Sequence, residues 1–67
     1  MPIVRIQLAK GRTDEEKKKL MKAVTDAIHS AIGTPLPAIH VMIQDIPQTD
    51  IMVGGRTVGE MNNKERI

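Results

Sequence analysis

The chain has 67 residues, no cysteine, no Phe, Tyr or Trp, and a net charge of +2. A chain this short buries only about 60% of the surface its unfolded form exposes, and without cysteine it has neither a disulfide framework nor a thiolate metal site. His29 and His40 have no partner at ligand spacing, so no metal is implied and oligomerisation is the remaining route to a sufficient core. No apolar run reaches the ~18 residues of a membrane span, and MPIVRIQLAKGR lacks the pattern of a signal peptide. The expectation is one soluble cytoplasmic domain over residues 1–67, with no membrane association.

Residues 2–8 alternate, with Pro2, Val4, Ile6 and Leu8 on one side and Ile3, Arg5 and Gln7 on the other. Period 2 predicts a strand with one apolar face. Gly11 breaks the pattern, and Thr13 followed by Glu16 has the spacing of a capping box, with Asp14 and Glu15 where a helix dipole favours acids. Leu20, Val24, Ala27, Ile28 and Ala31 then recur at helical steps, and Gly33, Pro35 and Pro37 end the helix. Lys17, Lys18 and Lys19 read as its solvated face, with Asp14–Lys18 and Glu15–Lys19 pairs at favourable spacing. Without aromatic side chains to stack on bases, that face is no nucleic-acid site.

A second strand is predicted over His40–Asp45, with Ile39, Val41 and Ile43 on one face and His40, Met42 and Gln44 on the other. Pro47 to Asp50 reads as a turn. Ile51–Val53 and Arg56–Val58, joined by Gly54-Gly55, read as a short hairpin, and the polar tail from Gly59 to Ile67 has no assignment. The fold class is therefore α/β (α+β), a single βαβ unit with parallel strands and a short C-terminal β-hairpin. One helix covers one sheet face and leaves the face of Ile3 and Met42 open. Another copy of the chain is the simplest cover.

General searches for chemistry find little. Gly54-Gly55 lacks the helix and lysine of a phosphate loop, and Ser30, the only serine, sits mid-helix beside His29. Pro2 is different. Removal of Met1 would leave a free secondary amine, and an α-amino group titrates near ~7.7–8.0. A nearby cation such as Arg12, or an apolar wall, lowers that value toward neutrality, where a general base works best. Position alone favours a proline that merely starts a strand.

Met1-Pro2-Ile3-Val4, the stretch GRTDEEK at Gly11–Lys17, the strand IHVMIQDIP and the Gly54-Gly55 hairpin closely resemble the 4-oxalocrotonate tautomerase family. The resemblance implies a tautomerase-like hexamer, a trimer of dimers, with sites built across subunits and no cofactor. It further implies catalysis by Pro2 as general base on 2-hydroxy-dienoates and related enols. Arg12 matches the family's first site arginine, which binds the carboxylate of a small-molecule substrate. His40 stands where the family has a second arginine, and Ile51 where it has a phenylalanine lining the site. His40 either orients the substrate or faces a neighbouring subunit. Farther on, Gly55-Arg56-Thr57-Val58-Gly59-Glu60, with Glu65-Arg66, is similar to the β subunit of trans-3-chloroacrylic acid dehalogenase, a hetero-hexamer. That likeness keeps a hetero-oligomeric hydratase or dehalogenase subunit as an alternative to a homo-oligomer, although Val53 stands where the hydrating glutamate would be. A structural subunit with Pro2 idle is the third reading.

Overall fold

A computed structural model describes residues 1–64, with side chains described as far as Met61. Strand β1 (Ile3–Ala9) leads through Gly11 into helix α1 (Asp14–Ile32), which returns the chain to strand β2 (His40–Ile46). The two strands are parallel, with Ile3 opposite His40, Ile6 opposite Ile43 and Leu8 opposite Asp45. Each strand begins or ends one residue later than the alternation alone suggests. The ladder extends that far because Lys10 N–H still reaches the Ile46 carbonyl, at 2.8 Å.

Both predicted ends of α1 are present. Thr13 Oγ1 accepts from Glu16 N–H and the Glu16 carboxylate accepts from Thr13 N–H, a complete capping box. Gly33, at φ 72°, takes the left-handed position past the last turn. The charged face differs from expectation. Among the described residues, the pairs of α1 are Lys17–Asp14, Lys22–Asp26 and Lys17–Asp45, and Asp14–Lys18 and Glu15–Lys19 do not form. Lys17 turns toward the sheet because period 2 places Asp45 on the helix-facing side of β2, where a carboxylate needs a partner. The half-buried row of the helix is accordingly Lys17, Met21, Val24, Thr25 and Ile28, while Leu20, Ala27 and Ala31 of the predicted stripe remain exposed.

After β2, a 3-10 turn (Gln48–Asp50) precedes a hairpin of β3 (Met52–Val53) and β4 (Arg56–Thr57), a two-stranded sheet of its own. Val58 does not belong to the hairpin. It opens a second helix, α2 (Val58–Lys64), in the stretch that had no assignment. Thr57 and Glu60 form a second capping box with the same reciprocal bonds as the first.

No described residue is buried, and Ile3 and Met42 on the open sheet face are 60% and 45% exposed. The radius of gyration is 15.0 Å, against about 11 Å for a compact chain of this length. The exposed surface is 5385 Å², against about 4200 Å² for a globular monomer of this mass. No described helix is long and apolar enough to cross a membrane.

The caps and the cross-element pair give a pH dependence of defined sign. The Thr13 and Thr57 backbone N–H groups hold Glu16 and Glu60 below the ordinary 4.5. Their contribution is present above that pH and is lost as pH falls through the lowered values. Lys17 is raised above 10.5, first by its hydrogen bond to Asp45, so its contribution holds below that pH and is lost as pH rises through the raised value. In thermal melts followed by circular dichroism, Glu16→Gln and Glu60→Gln should flatten the acid limb and Lys17→Met the alkaline limb. Thr13→Ala should cost about 1 kcal/mol at neutral pH.

Candidate functional site

Parallel pairing puts the starts of β1 and β2 together. His40 N–H donates to the Pro2 carbonyl at 3.0 Å, so Pro2 and His40 are neighbours within one chain. Pro2 is half-buried and follows the alternation of Val4, Ile6 and Leu8, while His40 is exposed and shares the open face with Ile3. Met1 projects into solvent, 82% exposed.

Arg12 lies at the opposite end, in the loop between β1 and α1. The seven residues of β1 span roughly 23 Å at about 3.3 Å per residue. An arginine side chain does not cross that distance. Within one chain the structure brings Pro2 and His40 together and keeps Arg12 apart from both.

The Arg12 end has a shape of its own. Leu8, Arg12, Glu16, Lys17 and Leu20 line a depression of about 300 Å³. Arg12 also acts on Glu16, adding to the capping bonds that lower its pKa. The Lys17 Nζ–Asp45 Oδ2 bond, at 2.7 Å, ties the first helical turn to β2 beside Leu8. Asp45 Oδ1 is buried without a hydrogen-bond partner. Ile51 is half-buried three residues beyond Gln48, and its carbonyl accepts from Val58 N–H at 2.8 Å. Val53 is exposed on β3, and Glu65 and Arg66 lie outside the described residues.

Sequence reasoning missed Leu8, Lys17, Asp45 and Gln48 as parts of this end. The signal for Lys17 and Asp45 was present, since alternation from Ile39 through Val41 and Ile43 puts the Asp45 carboxylate on an apolar face. Gln48 carried no signal, because its bond to the Lys10 carbonyl joins segments 38 residues apart.

The chain matches the family model described as "Tautomerase enzyme" over residues 2–61. A probable tautomerase of Streptococcus pneumoniae is 52% identical over 48 residues, covering 72% of this chain and 80% of that protein. The 2-hydroxymuconate tautomerase of Stutzerimonas stutzeri is 35% identical over 57 residues, covering 85% of this chain and 90% of that protein. Among solved structures, a chain of the heterohexameric 4-oxalocrotonate tautomerase of Chloroflexus aurantiacus superposes with a TM-score of 0.84 at 34% identity, covering 91% of this chain and 98% of that one. None of these three is named as a dehalogenase subunit, and that expected similarity rests on the C-terminal sequence stretch alone.

Proposed function

This chain belongs to the tautomerase enzyme family, and from that premise we propose that it moves a proton between oxygen and carbon in small enol carboxylates, with Pro2 as the base. The observation that carries the proposal is the division of the site residues between two ends of one strand. Pro2 and His40 form a half-site without an arginine. Arg12 and its depression form a half-site without the amine. Two copies set end to end supply both, and six copies arranged as a trimer of dimers would also cover the open sheet face and the exposed row of α1.

The chemistry requires a free amine. With Met1 in place the Pro2 nitrogen is an amide and has no basicity. With Met1 removed it is a secondary amine, and its ordinary pKa near ~7.7–8.0 falls when a guanidinium or an apolar wall disfavours the charged form. The neutral amine takes the enol hydroxyl proton, the C–O bond becomes a carbonyl, and the electron pair of the C=C bond accepts the proton back at carbon. Nothing is oxidised or reduced, and no cofactor or metal takes part. Arg12 from a second copy holds the substrate carboxylate with two parallel N–H donors, and Ile51 supplies apolar wall. In this reading the domain spans residues 1–67 and the assembly is a homohexamer.

The substrate range follows from His40. A diacid in this family is held by arginines at both ends, and here one of them is a histidine. A hydrogen bond to a charged group contributes about 1.5–3 kcal/mol, so a diacid loses an anchor that a monoacid never used. Catalysis by the free proline is tested by intact mass and kinetics together. The active protein should lack Met1, and Pro2→Ala should lose most of the rate. A fully active preparation that retains methionine would exclude Pro2 as the base. For substrate range, 2-hydroxy-2,4-pentadienoate should be turned over at least as efficiently as 2-hydroxymuconate. His40→Arg should raise kcat/KM for the diacid more than for the monoacid. A strong wild-type preference for the diacid, unchanged in His40→Arg, would place His40 outside the substrate site.

A further inference from the structure

Arg12 sits on a short loop whose two flanks are fixed differently. On the helix side the capping box closes the backbone at Thr13. On the strand side, one residue beyond the end of β1, the Lys10 carbonyl accepts from Gln48 Nε2 at 2.7 Å. Between them Gly11 has φ 146°, a left-handed value that only glycine adopts without strain, and a Cβ there would meet Gln48 Nε2 at 3.5 Å. Gln48 belongs to the 3-10 turn after β2, and its Cβ also lies 3.6 Å from the position a Cβ on Gly59 of α2 would take. One side chain therefore bonds to the loop that carries Arg12 and lies close to α2, three residues before Ile51.

We propose that Gln48 is the positioning residue of Arg12, holding the Lys10–Thr13 loop so that the guanidinium is already aimed when a carboxylate arrives. The inference rests on the reading of Arg12 as carboxylate anchor. Glycine has the widest choice of backbone conformations, so Gly11 leaves this loop free to vary unless another group holds it. Fixing it before binding removes an ordering cost that the substrate would otherwise meet. Gln48 bonds to the Lys10 carbonyl, two residues before Arg12, so its proposed effect passes through Arg12.

The test is a double-mutant cycle on the assembled, Met1-free enzyme with 2-hydroxy-2,4-pentadienoate. It compares wild type, Gln48→Leu, Arg12→Ala and the double variant, with sedimentation confirming that each assembles. Gln48→Leu should raise KM and lower kcat/KM roughly three- to tenfold, the effect of one neutral hydrogen bond. kcat at saturating substrate should change less than KM, the split expected when a substrate-binding contact is loosened. In the Arg12→Ala background the same substitution should cost nothing further. A full additive loss in that background, or a Gln48→Leu variant with wild-type kcat/KM beside an impaired Arg12→Ala, overturns the role of Gln48 and leaves the tautomerase site standing. An Arg12→Ala variant with wild-type kcat/KM overturns the anchor itself and Gln48 with it. If Gln48→Leu does not assemble, Gln48→Glu provides the same cycle, since it keeps the length and replaces the donor with an acceptor facing the carbonyl.

Discussion

The parallel pairing of β1 with β2 decides where every other group can be. Strands that run the same way bring their starts to one end of the sheet, which sets Pro2 against His40 through the bond from His40 N–H to the Pro2 carbonyl. The same pairing sends the β1–α1 loop and the turn after β2 to the other end. Arg12, Lys17 and Gln48 gather there for that reason. A parallel connection needs a long crossover, and α1 is that crossover. Its length and the length of β1 then keep the two groups of residues apart.

Two strands and one helix cannot enclose a core. No described residue is buried, and Leu20, Ala27 and Ala31 of α1 stay exposed. In the proposed reading, further copies of the chain both cover this surface and complete the divided site. An isolated chain of this shape has little reason to be stable, and a site assembled from two chains ties activity to assembly. The partly buried Lys17–Asp45 pair fits that economy. It fastens the helix to the sheet where apolar contacts are scarce, at the end where Arg12 is mounted.

What the sequence made legible was local. Alternation in 2–8 and 40–45, the Thr13–Glu16 box and Gly33 define the βαβ unit because each is a short-range consequence of backbone geometry. The same rule applied to Thr57 and Glu60 predicts α2, and it was missed only because no apolar periodicity follows it. Pro2 and Arg12 stood out by resemblance to a family, and composition alone would have left Pro2 as the start of a strand. The hydrogen bond of Gln48 and the inward turn of Lys17 were not legible from any single segment. Each depends on a partner that the fold brings in from more than 25 positions away.

The central claim is that one working site draws Pro2 from one chain and Arg12 from another, and subunit mixing tests it most directly. Pro2→Ala and Arg12→Ala chains, each assembled alone, should have little activity. Unfolded together and reassembled, they should regain activity, because some sites then combine an intact Pro2 from one variant with an intact Arg12 from the other. Reassembled mixtures, shown by mass to contain both chains, that stay as inactive as the separate variants would contradict the account. They would mean that base and anchor must come from the same chain.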